Sequence, residues 1–169
     1  MGCVKEFSIN NERPIAVTIP AGIDSDETIV LRGLGGVGKN GGPQGDLLLT
    51  VRILPHPLFT RKGTSVFCDM PITFMDATLG AELDAPTIGG RVKLTIPAGT
   101  QGGATFRLKG RGIPAVGGNV KGDQFIRVKI EIPTNLNEKH KQALRGFAAS
   151  TGTNHFPQTK RFNDKVKAL

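Results

Sequence analysis

The sequence predicts an all-β protein made of two small related units in tandem, with one short internal helix and one C-terminal α-helix. Three observations carry that prediction. Residues 17–53 return as residues 94–130, 77 positions later and without a gap, with 14 identities in 37 aligned positions. Val17-Thr18-Ile19-Pro20-Ala21-Gly22 reappears as Leu94-Thr95-Ile96-Pro97-Ala98-Gly99, and Gly45-Asp46 as Gly122-Asp123. An ungapped repeat is one supersecondary unit used twice, and two copies are too few for a solenoid. The apolar residues also alternate with period two over most of the chain, as in half-buried strands. Convincing helical periodicity is confined to the stretch after Pro133.

Taken in order, residues 15–19 alternate as a strand, which Pro20-Ala21-Gly22 ends because proline has no N–H and glycine tolerates a turn. Residues 28–32 form a second strand. Residues 33–45 hold seven glycines and form a loop. Residues 46–53 form a strand with Leu47, Leu49, Val51 and Ile53 on one face. Pro55-His56-Pro57-Leu58-Phe59 is a stiff extended connector, since two prolines leave no room for a helix. Residues 61–64 read as a turn and 65–72 as a strand. Residues 74–79 form one or two helical turns stopped by Gly80. Residues 82–86 extend, and Gly89-Gly90 turns the chain into an amphipathic strand carrying Val92, Leu94 and Ile96 on one side. The second copy places strands at 104–109 and 124–132 around a glycine loop at 110–122, with Ile126, Val128, Ile130 and Ile132 aligned. Asn135 as N-cap with Glu138 three positions on fits a capping box. Leu136, His140, Ala143, Leu144 and Phe147 then mark one helical stripe. Residues 150–169 are compatible with a mobile tail or a short final helix.

Units of about 75 residues are near the size at which a single core is marginal, so mutual support between neighbours is expected. The apolar runs fall short of the ~20 residues a membrane span needs, and no secretory signal opens the chain. Cys3 and Cys68 lie far apart without metal-ligand spacing, which argues against zinc in this chain. Cys68 alternates with Val66 and Met70 and reads as a buried reduced thiol. The net charge of +8 raises nucleic acid as a partner. From Thr134 onward the balance is +5, against +3 for everything before it, so the basicity belongs mainly to the C-terminal segment. With no Trp or Tyr, stacking on bases falls to Phe alone, which disfavours nucleic acid.

Gly33-Leu34-Gly35-Gly36-Val37-Gly38 satisfies G-x-G-x-x-G, but that motif needs a helix N-terminus after it to hold a pyrophosphate. Here more glycines and Pro43 follow, so a long turn is the better reading. His56, His140 and His155 are scattered. Asp46 and Asp123 each follow a glycine at a strand start, where a bond to nearby backbone is the natural role. These residues assign no catalytic group and no metal ligand.

Val-x-Ile-Pro-Ala-Gly, Leu-Arg-Gly-x-Gly, Gly-Gly-Pro-x-Gly-Asp-Leu, His56-Pro57-Leu58-Phe59, Ala77-Thr78-Leu79-Gly80 and Leu136-Asn137-Glu138 occur here in fixed order. In that order they resemble the C-terminal region of bacterial-type DnaJ co-chaperones (J-domain proteins), over about residues 15–147. The resemblance implies two tandem β-sandwich subdomains that bind unfolded client polypeptide, a C-terminal helix that makes a homodimer, and delivery of clients by the parent protein to a DnaK-type chaperone ATPase. It implies a cytoplasmic, non-enzymatic protein without a membrane partner, and nucleic acid stays disfavoured on composition. No J-domain, His-Pro-Asp triplet or CxxCxGxG zinc repeats occur in the sequence, so the resemblance implies a fragment without cofactor, zinc belonging to a region of the parent absent from this chain. Met1-Gly2 resembles an added start. The implied division is 1–54, the closing part of an incomplete first subdomain; 55–133, the second subdomain; and 134–169, a dimerisation helix and tail. By position, Ile15, Val17 and Leu49 map onto the family's peptide-binding groove, and Leu136, Leu144 and Phe147 onto its dimer contact. The same side chains also suit plain core and intramolecular packing of the helix. The first subdomain is expected to lack its opening strands, one wall of that groove, and so to bind clients weakly. The competing reading is a basic β-sandwich module that binds nucleic acid or acidic surfaces through residues 150–169.

Overall fold

A computed structural model of the chain describes residues 2–8, 14–38 and 42–168. They fall into two compact units, Met1–Glu131 and Ile132–Leu169. The first unit is all strand apart from one short helix, as the period-two patterning requires.

Two antiparallel ribbons open it. β1 (Cys3–Phe7) pairs with β2 (Ile15–Ile19), placing Phe7 opposite Ile15 and Lys5 opposite Val17. β3 (Thr28–Leu31) pairs with β4 (Leu47–Thr50) across the first glycine loop. A four-stranded sheet follows, built from β5 (Thr60–Lys62), β6 (Ser65–Thr73), β9 (Thr105–Leu108) and β10 (Gln124–Glu131) in the order β5-β6-β10-β9. β6 and β10 run parallel, and the other neighbours antiparallel. Between β6 and β9 the chain makes α1 (Phe74–Leu79) and the hairpin β7 (Ala81–Thr87) and β8 (Gly90–Ile96). Thr73 caps α1 by accepting from the Asp76 N–H at 3.0 Å, and Gly80, at φ 83°, ends it in a conformation that costs glycine little.

α1 and the β7–β8 hairpin cover one face of the sheet. Cys68 and Ile72 of β6, Ala77 of α1, Ala85 and Leu94 and Ile96 of the hairpin, and Ile126 and Val128 of β10 form one buried cluster. Each fully buried Ile or Val there contributes about 1.5–3 kcal/mol relative to exposure. The opposite face of the sheet is open to solvent.

The sequence repeat is also a hydrogen-bond repeat. Val51 O accepts from the Asp26 N–H (2.8 Å), and the Val51 N–H donates to Glu27 O (2.9 Å). The second copy repeats them as Gly103 N–H to Val128 O and Val128 N–H to Ala104 O, both 2.8 Å. Each glycine loop is pinched by one more pair, Gly35 N–H to Gly45 O and Gly112 N–H to Gly122 O, at 2.8 Å. A Cβ on Gly35 would sit 2.5 Å from Asp46 O, so only glycine permits the pinch. Asp46 Oδ1 accepts from Gly33 N–H at 3.0 Å, and Asp123 Oδ1 from Gly110 N–H at 2.8 Å. The two carboxylates are therefore structural, as expected, but they tie the loop's far end rather than adjacent backbone.

Several local expectations are corrected. Cys3–Phe7 is a further strand, one that a short segment exposed at every residue did not announce. The strand expected over 46–53 ends at Thr50, and Ile53 is exposed. The turn expected at 61–64 is a two-residue turn at Gly63-Thr64, because Thr60–Lys62 joins the sheet as its edge. Ile132 leaves β10 and is exposed.

In the second unit, α2 spans Glu138–Ser150 and α3 Pro157–Lys167. Asn135 is not the N-cap: it sits at φ 56°, outside the extended conformation an N-cap needs. Asn137 caps instead, accepting from the His140 N–H at 2.9 Å, so Glu138 is the first helical residue and the expected capping box is absent. Of the two readings for the tail, the final helix holds. Pro157 opens α3, where a missing N–H costs nothing, and Lys165 and Lys167 lie in its last turn, favourably to the helix dipole.

Candidate functional site

β1 and β2 pair only with each other among the described residues, so each leaves one row of backbone N–H and C=O groups unpaired at its outer edge. Such an edge is a template for a further strand. On β2, Val17 is 2 % exposed, while Ile15 is half-buried. Phe7, directly across from Ile15, is partly exposed and adds an apolar neighbour that the sequence pattern did not mark. Leu49 is half-buried on β4, with Leu48 pointing out to solvent as the alternation predicts. The structure thus places Ile15 and Val17 on one ribbon and Leu49 on another, with no ladder joining the two among the described residues.

The turn after β2 is held to the sheet by Arg61. Its guanidinium donates to Gly22 O and Ile23 O, both at 2.7 Å, and to Gly63 O at 2.8 Å, and it lies 3.7 Å from Asp24. Nothing in the spacing of the sequence signals that role. An open cleft beside it is lined by Asp24, Ile53, Pro55, Phe59 and Ile88. His56 stacks on Phe59 with centroids 4.8 Å apart, and its Nδ1 accepts from Leu58 N–H at 3.1 Å, which makes it a structural residue of the connector.

In the helical unit Leu136 precedes α2 and is half-buried, so it is not on the helical stripe. Leu144 and Phe147 are three apart on one face and 36 % and 53 % exposed. Phe147, Phe156 and Thr159 line a shallow cleft between α2 and α3.

The titratable groups act in structure. Asp69 accepts two bonds from Arg127, at 2.7 and 2.8 Å, and lies 2.7 Å from Lys129. Those two cations, Arg127 first, hold its carboxyl well below the usual range. The Gly110 N–H and then Arg107 lower the pKa of Asp123. Burial, and secondarily Asp69, pushes the Cys68 thiol up. No group of three or more His, Cys, Asp or Glu that could hold a metal ion occurs among the described residues, and no helix among them is long and apolar enough to cross a membrane. The G-x-G-x-x-G match leads into loop and then β4, with no helix at residues 42–46 to receive a phosphate.

Repeated hairpins closed by a loop-bridging aspartate, followed by a helical unit with exposed apolar residues, define a tandem β-domain protein. The profile described as DnaJ C terminal domain matches residues 1–133, and the chain belongs to that family. Chaperone protein DnaJ of Ruminiclostridium cellulolyticum is 53 % identical over 159 residues, covering 94 % of this chain and 42 % of the relative. Chaperone protein DnaJ of Acetivibrio thermocellus is 48 % identical over 165 residues, covering 98 % and 43 %. That of Clostridioides difficile is 48 % identical over 157 residues, covering 93 % and 41 %. The chain spans about two fifths of the length of these relatives.

Proposed function

We propose that this chain is the client-binding and dimerising part of a cytoplasmic, non-catalytic DnaJ-type co-chaperone whose parent passes unfolded polypeptide to a DnaK-type ATPase. The observation that carries the client reading is the β1–β2 ribbon, whose unpaired strand edges lie beside the apolar pair Phe7 and Ile15. An extended client adds to such an edge through its backbone, and its alternate side chains take the apolar positions. Ile15 and Leu49 supply that apolar surface and Val17 the buried support beneath it. In this reading residues 1–54 hold the client, 55–133 form the second subdomain, and 134–169 dimerise through Leu144 and Phe147, with Leu136 at the helix entrance.

The experiment is titration of the chain with a labelled, permanently unfolded protein (reduced and carboxymethylated). Ile15→Asp should weaken binding by about ten-fold, the loss of an apolar contact and its replacement by a charge. An exposed control, Lys139→Ala, should bind as the wild type does. Equal binding by Ile15→Asp, with its fold intact by circular dichroism, removes the client reading. Sedimentation decides the dimer: a wild-type chain that is monomeric at every concentration removes it, and Phe147→Glu should dissociate a dimer.

A further inference from the structure

The open face of the four-stranded sheet carries a second constellation, distinct from the β1–β2 ribbon and independent of the client reading. Across it, Thr60, Phe67, Phe125 and Arg107 stand in one rank, one residue from each strand. Asp69, Arg127 and Thr105 form the next. The connector overhangs this face, and Pro57 and Leu58 with Lys62, Phe67, Phe125 and Arg127 line an open cleft. We infer that this cleft docks an acidic polypeptide segment carrying one large apolar side chain.

The apolar floor is built by the parallel pairing of β6 and β10, which sets Phe67 directly beside Phe125. The rings are nearly parallel, at 16°, with centroids 5.2 Å apart. They therefore spend one face each on one another. The other face of Phe67 is taken by Lys62, whose Nζ lies 5.6 Å from the ring centre. Three of the four ring faces are thereby occupied, and the edges that remain are the electropositive part of an aromatic ring, which suits carboxylates. Base stacking needs free ring faces, so this arrangement favours an acidic peptide over single-stranded nucleic acid.

The charges agree. Asp69 is the one carboxylate lining the cleft among the described residues, and it is shared by both Arg127 and Lys129. Lys62 has no carboxylate partner among the described residues. Lys62 and the Arg127–Lys129 pair thus flank an apolar floor with an excess of positive charge. A segment with an aromatic or aliphatic anchor against Leu58, Phe67 and Phe125 can place carboxylates on both sides of it.

The test uses the whole chain and three short fluorescein-labelled probes: a Glu-rich peptide with a central Phe, its Lys-for-Glu counterpart, and oligothymidylate. The Glu-rich peptide should bind in fluorescence anisotropy, about ten-fold more tightly than the Lys-rich one and with an affinity that falls as salt is raised. Lys62→Glu should weaken it by about ten-fold while leaving the unfolding midpoint near that of the wild type. In amide NMR spectra of the unaltered chain, the Glu-rich peptide should shift Lys62, Phe67, Phe125 and Arg127. Equal binding of the Lys-rich peptide overturns the inference, as does tighter binding of oligothymidylate. Shifts confined to Ile15, Val17 and Leu49 overturn it too, because the acidic peptide is then using the β1–β2 ribbon. Failure of the unfolded-client titration leaves this result untouched, so the two readings fail separately.

Discussion

Removing the Arg61 guanidinium should loosen the first ribbons from the sheet. Arg61→Ala deletes three hydrogen bonds from a charged donor, to Gly22 O, Ile23 O and Gly63 O. Bonds of that kind contribute about 1.5–3 kcal/mol each when the acceptor stays dry. The carbonyls of Gly22 and Ile23 are only partly buried, so water reaches them once the side chain is gone, and the Gly63 bond is exposed. A total of about 2–4 kcal/mol follows, a large share of a small domain's stability. Lysine can place a single point charge on one of the three carbonyls, so Arg61→Lys should recover less than half of the loss. The chain has no Trp or Tyr, so urea unfolding is best followed by far-ultraviolet circular dichroism. Arg61→Ala should shift the midpoint down, or split the transition so that the segment around Gly22 becomes protease-sensitive first. A variant within about 0.5 kcal/mol of the wild type, or full recovery by lysine, refutes the clamp.

The other expectations follow from the same contacts. Asp123→Asn should lower the melting temperature more than Asp46→Asn, because Asp123 holds both the Gly110 N–H and Arg107 whereas Asp46 holds the Gly33 N–H; equal shifts in calorimetry contradict this. Asp69 and Asp123 have folded-state affinities for protons below the unfolded ones, so their stabilisation is present above about pH 4 and is lost as the pH falls below it. Asp69→Asn should flatten that acid limb of the melting temperature, and an unchanged limb counts against the Arg127–Lys129 assignment. With a thiol-reactive dye, exposed Cys3 should label at once and Cys68, 3 % exposed and with its thiol pushed up, only after denaturant is added; two fast thiols contradict its burial.

What the sequence made legible was whatever follows from a repeated period. Val92, Leu94 and Ile96, or Ile126 and Val128, alternate against polar neighbours, and the strands lie where that alternation puts them. Gly80 stops α1 because its positive φ is a local property of glycine. The failures are at elements whose definition is not local. β1 is exposed at every residue, so no apolar period marks it, and it exists because β2 has an edge to pair with. β5 is three residues long, and its assignment depends on β6 beside it. Asn135 and Asn137 are equally good N-caps by composition, and the backbone turn at Asn135 chooses between them. Of the candidate site, the individual apolar positions were readable, but Phe7 beside Ile15 and Phe67 beside Phe125 are facts of register. Arg61 looked like any turn residue until the strands were placed around it.

The parallel pairing of β6 with β10 has a consequence for how this chain is made. The partners Asp69 and Arg127 are 58 residues apart, and α1 and the β7–β8 hairpin, which cover the sheet's inner face, lie between them. A contact of that span is slow to close and cannot form from local pieces. On a ribosome, β6 emerges long before β10 and waits with its central edge open and Val66, Cys68 and Ile72 unburied. The chain therefore passes through a long unfinished state of its own, one that ends only when β10 has cleared the exit tunnel.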